Sequence, residues 1–225
     1  MEKSLNICAV IVTYNTGKEI TTAAESVRSK VDELVIVDNG SDSETVKQLK
    51  GLQYENKATV IYLDENKGIA KALNVAAQYA LDNGYKWLLT LDDDSRVTEN
   101  MITTMLQAYD GLEDSEKEKV AVIAPRHIEK GSSEYQEANK KEIELTRVLT
   151  EITSGNLVRL ELLREAGYYK EEFFIDFVDH YFCLKLKRLG FDIIRVENAI
   201  LLHSLGNSIP KSILGQKITV TNHSP

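Results

Sequence analysis

Cysteine is nearly absent from this chain, which carries only Cys8 and Cys183. Cys8 sits in an apolar, strand-like run and Cys183 in a helix-prone run beside Phe182 and Leu184, with no metal or redox spacing around either. Both read as small buried hydrophobes, which suits a reducing compartment. Long apolar runs are missing too. None approaches the roughly 20 residues of a membrane span, and the run in "MEKSLNICAVIV" is too short for the apolar core of a signal peptide, so the chain reads as cytoplasmic. Positive charge is also in short supply: 27 Lys and Arg against 35 Asp and Glu give a formal charge of −8. That argues against non-specific nucleic-acid binding, which leans on clustered Lys and Arg, and no nucleic-acid partner is expected. An anionic ligand remains compatible wherever a metal or a helix terminus supplies local positive charge. There is no internal repeat and no long linker.

What is present is ordinary globular composition, with 43% hydrophobic and 28% charged residues over 225 positions. The first half alternates. Apolar runs at 6–15, 33–39, 58–65 and 86–92 predict strands, and the segments between them, 18–30, 41–52 and 68–84, predict helices. Continuous apolar strands separated by helices imply a parallel sheet covered on both faces. In such sheets ligands bind beyond the carboxyl ends of the strands. Those ends read Thr13-Tyr14-Asn15, Asp38-Asn39, Asp64-Glu65-Asn66 and Asp92-Asp93-Asp94, four polar clusters expected along one edge. Adjacent carboxylates repel, so the triple Asp is costly at a strand end unless something positive sits there. In extended chain Asp92 and Asp94 face one way and Asp93 the other. The second half is less regular: a strand at 119–127, a polar and charged excursion over 128–148, and a strand running into a short helix over 152–167. After these come an acidic stretch, a helix from about 178 to 189, two short strands ending at His203, and a patternless tail. The charged run 140–147 reads as a solvated face without chemistry.

Taken in order, "VTYN", "VDNGS", "NKGIAKALN", "DDDS", "TSGN", "FIDFVDHYFCLKLKRLG" and a final strand ending in His resemble the inverting family 2 glycosyltransferases, and among them the rhamnosyltransferase-like branch. The resemblance runs over roughly residues 5–206. It implies an α/β, single-domain GT-A fold: a Rossmann-like, mixed and mostly parallel sheet flanked by helices. Residues 1–97 would form the nucleotide-sugar half, 98–206 the acceptor and catalytic half, and 207–225 a C-terminal tail. It further implies a dTDP- or UDP-linked donor, with rhamnose favoured, and a saccharide or lipid-linked acceptor of cell-surface polysaccharide synthesis. Mn²⁺ or Mg²⁺ is the implied cofactor, and transfer inverts the anomeric carbon.

The same resemblance assigns residues. Asp94 would hold the metal, Asp92 the metal or the donor ribose, and His203 would be a third metal ligand, although a histidine closing an apolar run also suits a structural role. Asp93 occupies the variable middle position, grouped with the donor-binding residues and with its own role open. Asp38 suits a turn or helix cap, and by resemblance a carboxylate accepting the imide N–H of uracil or thymine. Thr13, Tyr14 and Asn15 would lie on the base side, the tyrosine ring available for stacking. Asn66, Lys67 and Gly68 open a helix whose N-terminus favours a diphosphate. Many relatives carry Arg where this chain has Leu73, a contact that Lys67 or Lys71 would have to replace. Asp179 is the implied general base and Asp176 the alternative, while helix capping suits an Asp at either position. Ser154, Gly155 and Asn156 would floor the acceptor side. Relatives continue past this point with a basic, aromatic segment that helps hold the acceptor or a membrane surface. This chain stops at Pro225, as a short or truncated form, and association with the inner membrane face would run through that missing segment. Two other readings remain: a non-catalytic nucleotide-sugar-binding domain, and a glycoside hydrolase working with paired carboxylates.

Overall fold

The computed structural model describes residues 5–130, 132, 142–203, 208–213 and 216–221. The parallel half is built as the apolar runs predict. Strands β1 (Ile7–Thr13), β2 (Glu33–Asp38), β3 (Thr59–Tyr62) and β4 (Trp87–Asp92) alternate with helices α1 (Glu19–Val27), α2 (Ser43–Tyr54) and α3 (Ile69–Asp82). Although these strands are apolar almost throughout, their alternation still sorts side chains to opposite faces. Ile7, Ala9 and Ile11 of β1 join Leu89 and Trp87 of β4 under α1 and α2. Cys8 and Val10 face the other way, against Ala72, Leu73, Ala76 and Ala77 of α3. Each face buries a full core, so neither surface of the sheet can be exposed without losing the main driving force for folding.

Beyond β4 the chain continues through β5 (Arg96–Val97), α4 (Met101–Asp110), α5 (Asp114–Lys117), β6 (Val120–Glu129), β7 (Leu145–Val148), β8 (Leu157–Arg159), α6 (Leu160–Glu165), α7 (Val178–Arg188) and β9 (Asp192–His203). The sheet runs β3-β2-β1-β4-β8-β6-β9-β5, with β7 also on β9. The pairs β1/β2, β2/β3, β1/β4 and β6/β9 are parallel. The pairs β4/β8, β6/β8, β5/β9 and β7/β9 are antiparallel. A separate antiparallel hairpin, β10 (Ser208–Ile213) with β11 (Gln216–Thr221), follows.

Three expectations are corrected here. The two short strands foreseen before His203 are one strand, β9. Its pairing to β6 jumps from Pro125↔Val196 to Arg126↔Ile200, so Glu197, Asn198 and Ala199 form a bulge. The polar residues of that bulge are what make the run look interrupted. The excursion expected over 128–148 contains strand β7, and Arg147 is tied down by Glu116 and by Asp192 at 3.7 Å; residues 131 and 133–141 lie outside the described residues. Most of the tail foreseen as patternless is the β10–β11 hairpin.

Candidate active site at the carboxyl edge of the sheet

Strand register aligns the functional edge. Thr13 lies opposite Asp38, Val12 opposite Asp92, and Asp38 opposite Tyr62, so the parallel strands deliver their polar ends side by side. The chain then turns at Asp92-Asp93-Asp94, and β5 pairs at once with the far end of β9, Arg96 opposite Leu202. That short pairing carries His203 to the acidic turn from more than a hundred residues away.

Asp92, Asp94 and His203 each offer a ligand atom, and these atoms lie within 4.8 Å of one another. Asp94 Oδ1 is buried, with His203 Nδ1 at 3.3 Å as its ion-pair partner and no further hydrogen bond. Two carboxylates and an imidazole form a donor set that suits Mn²⁺ or Mg²⁺. The electrostatics are those of a site short of positive charge. Burial, against the pull of His203 and helped by Asp94, Asp93 and Asp179, pushes the Asp92 carboxyl up to about 6. Burial also acts on Asp94, but His203 and Lys130 outweigh it and hold that carboxyl below its ordinary range. The Asp94 carboxylate in turn raises His203. Asp93 points elsewhere, accepting from the Thr16 hydroxyl, and burial is the main cause of its raised pKa. The alternation expected of an extended chain therefore holds through the turn.

Asp38 and Thr13 are buried, 2% and 1% exposed, while Tyr14 is 39% exposed. One Asp38 carboxylate oxygen accepts from the Ser41 N–H at 3.2 Å. Asn15, with φ of 57°, bridges to the start of α2: its N–H donates to Ser41 Oγ and its Oδ1 accepts from the Asp42 N–H. Asn39 shapes the neighbouring loop, its Oδ1 accepting from the Lys67 N–H and its Nδ2 donating to Asn66 Oδ1. Nothing in the sequence singles Asn39 out from other strand-end asparagines.

The start of α3 is already engaged. Gly68 N–H donates to Asn66 Oδ1 and Ile69 N–H donates to the Phe174 carbonyl at 2.9 Å. Gly68 has φ of 82°, and a Cβ there would stand 2.6 Å from the Phe174 oxygen. The close approach that this glycine permits is thus to the segment before α7. Lys67 pairs with Asp64 at 2.8 Å and Lys71 with Glu171 at 3.3 Å. Leu73 is buried in the core that also holds Cys8 and Val10 of β1, so the position filled by Arg in many relatives is here a packing position.

At α7 the capping role fits neither Asp as such. The residue preceding the helix is Phe177, in the left-handed region with φ of 65°, and the helix has no side-chain cap. Asp179 is half-buried, accepts from the His180 N–H, and is close enough to Asp92 to raise its pKa. Asp176 is exposed. Ser154 is not a floor open to an acceptor: it is 1% exposed and its Oγ accepts from the Asp92 N–H at 3.0 Å. Among the described residues no helix is long and apolar enough to cross a membrane.

The chain is 30% identical to the dTDP-rhamnosyl transferase RfbF of Shigella flexneri, covering 98% of this chain and 75% of that protein. Its fold matches GalNAc-T7, crystallised with UDP, GalNAc and Mn²⁺, with a TM-score of 0.73 at 18% identity, over 91% of this chain and 44% of that one. It also matches the mannosyltransferase PcManGT of Pyrobaculum calidifontis, in complex with GDP-Man and Mn²⁺, with a TM-score of 0.67 at 17% identity, over 92% of this chain and 59% of that one. The mixed, helix-covered sheet is thus the GT-A fold. The Glycosyl transferase family 2 model matches residues 8–177, and the chain belongs to that family of nucleotide-sugar glycosyltransferases.

Proposed function

We propose that this glycosyltransferase is metal-dependent and inverting, and that it moves rhamnose from a dTDP-linked donor, or a related sugar from a UDP-linked one, to a saccharide or lipid-linked acceptor. The observation that carries the reading is the Asp92–Asp94–His203 cluster, its ligand atoms within 4.8 Å of one another, on the edge where Thr13 and Asp38 also end. The likeness to the Shigella flexneri rhamnosyl transferase supports the donor, and Mn²⁺ in the two structural neighbours supports the metal.

In this reading residues 1–97 hold the donor and 98–206 supply the acceptor side. Asp92, Asp94 and His203 hold Mn²⁺ or Mg²⁺, which when bound neutralises charge on the leaving nucleoside diphosphate. Asp38, buried with one oxygen on Ser41, accepts the imide N–H of the base; Thr13 and Asn15 line that side and the exposed Tyr14 ring covers the base. Asp93, turned onto Thr16, fixes the loop that carries them. Asn66, Lys67 and Gly68 border the diphosphate at the start of α3, where the Phe174 carbonyl must give way to an anion. Asp179 takes the proton from the acceptor hydroxyl as that oxygen attacks from the face opposite the nucleotide. Its reach to Asp92 favours it over the exposed Asp176. A saccharide acceptor anchored in a membrane would bring the protein to the inner face of that membrane.

A thermal-shift panel of nucleotide sugars, each with Mn²⁺ and with EDTA, tests this reading. A ligand at a hundred times its Kd stabilises the folded state by about 2.7 kcal/mol. We expect dTDP-rhamnose with Mn²⁺ to give the largest shift, and Asp179→Asn to keep that shift while losing transfer. No metal-dependent shift across the panel, or wild-type transfer by Asp179→Asn, refutes the assignment.

A further inference from the structure

We infer that Ser95 and Ser154 are positioning residues that set the geometry of the Asp92–Asp94–His203 cluster. The inference rests on the reading of that cluster as a metal site. The two serines come from distant segments, the acidic turn and the loop before β8, and are 2% and 1% exposed. Their hydroxyls meet at 2.8 Å. On one side, Ser154 Oγ accepts from the Asp92 N–H at 3.0 Å. On the other, Ser95 Oγ lies 3.2 Å from His203 Nδ1. A continuous hydrogen-bonded chain therefore runs from the backbone of one carboxylate ligand to the ring of the imidazole ligand. It is closed from below, because Ser95 N–H donates to the Asp92 carbonyl at 3.1 Å. It is anchored as well: the buried face of His127 donates from Nε2 to the Ser154 carbonyl at 2.7 Å.

Neither serine faces solvent, so neither is placed to touch a substrate. A buried hydroxyl costs stability unless it is hydrogen-bonded, and an apolar side chain would fill the same space without that cost. What the hydroxyls supply that a methyl group cannot is direction. They hold the Asp92 backbone, and with it the carboxylate, at a fixed distance from the His203 ring. Outer partners of metal ligands act in this way, and their loss lowers metal affinity about 10- to 100-fold.

The test is a Mn²⁺ titration followed by electron paramagnetic resonance on the full chain, for the wild type, Ser95→Ala, Ser154→Ala and the double variant, with melting temperatures in EDTA alongside. We expect each single variant to bind Mn²⁺ about 10- to 100-fold more weakly. The double variant should lose no more than the weaker single, because the hydroxyls act as one chain. Ser95→Cys, close in volume and still a weak donor, should recover part of the loss, and it carries the test if Ser154→Ala does not fold. Variants that melt lower in EDTA but bind Mn²⁺ as the wild type does would reduce the serines to packing and overturn the inference. A wild type that binds no Mn²⁺ overturns the metal-site reading itself, and the positioning role falls with it.

Discussion

Replacing His127 by glutamine should remove a loss of folding stability that the wild type suffers as pH falls from 7 to 5. His127 is largely buried on β6, its Nε2 on the Ser154 carbonyl and its Nδ1 3.9 Å from Glu151. Burial, with His203 and Arg195 nearby, pushes its pKa down to about 4. The sign follows from proton counting. Below an ordinary histidine pKa of about 6.5 the unfolded chain takes up a proton that the native site refuses until about pH 4, so stability falls as pH falls through that window. A group at about 4 when folded and about 6.5 when unfolded removes about 2 kcal/mol between pH 7 and pH 5. For a chain of this length that corresponds to a fall of about 4–8 °C in Tm. Asp92 and His203 oppose this, since a carboxyl raised by burial and an imidazole raised by Asp94 both favour the native state as pH falls. The quantity to read is therefore the difference between two Tm profiles in EDTA, wild type minus His127→Gln, because glutamine keeps an amide donor and cannot titrate. Parallel profiles would show that His127 protonates freely in the native state and would refute its burial as described.

Gly155→Ala should be among the costliest single-methyl additions. The residue has φ of 86° and the new Cβ would stand 2.5 Å from Pro125 Cγ and 2.9 Å from Leu201 Cδ2. Left-handed backbone and overpacking together cost about 2–5 kcal/mol, readable as a Tm drop on the order of 10 °C; an unchanged Tm contradicts the close approach. Gly68→Ala should release the segment around Phe174 from α3, seen as faster proteolytic cleavage near residues 173–177 with most of the core intact; unchanged cleavage contradicts it. Cys8 and Cys183, their thiols raised by burial to about 12 and about 11, should resist iodoacetamide at pH 8 in the native state and react on unfolding; prompt native alkylation of either would place it at the surface.

The parallel half was legible because its physics is local. β-branched apolar runs, helical spacing of apolar residues and polar strand ends each follow from a few neighbouring residues, and the register Thr13↔Asp38 and Val12↔Asp92 lines those ends up. The second half hides its structure for opposite reasons. β7 is a four-residue, half-exposed strand of mixed composition inside a charged stretch, and the bulge at 197–199 interrupts the apolar pattern of β9. At the site, the facing of Asp92 and Asp94 away from Asp93 was readable from extended geometry alone. The chain of Ser95, Ser154 and His127 was not, since no local signal pairs two serines that lie 59 positions apart. The Phe174 carbonyl on the start of α3 is likewise a tertiary contact, and the glycine beneath it suited a ligand equally well. Leu73 shows the converse: its departure from the family pattern is plain in the sequence, and its burial explains it.

The most direct test is calorimetric titration of dTDP and UDP into the wild type and Asp94→Asn, each with Mn²⁺ and with EDTA. Nucleotide binding that needs Mn²⁺, and that weakens about tenfold or more in Asp94→Asn, is the predicted result. Equal affinity in EDTA, or in Asp94→Asn with Mn²⁺, would contradict a donor site built around Asp92, Asp94 and His203.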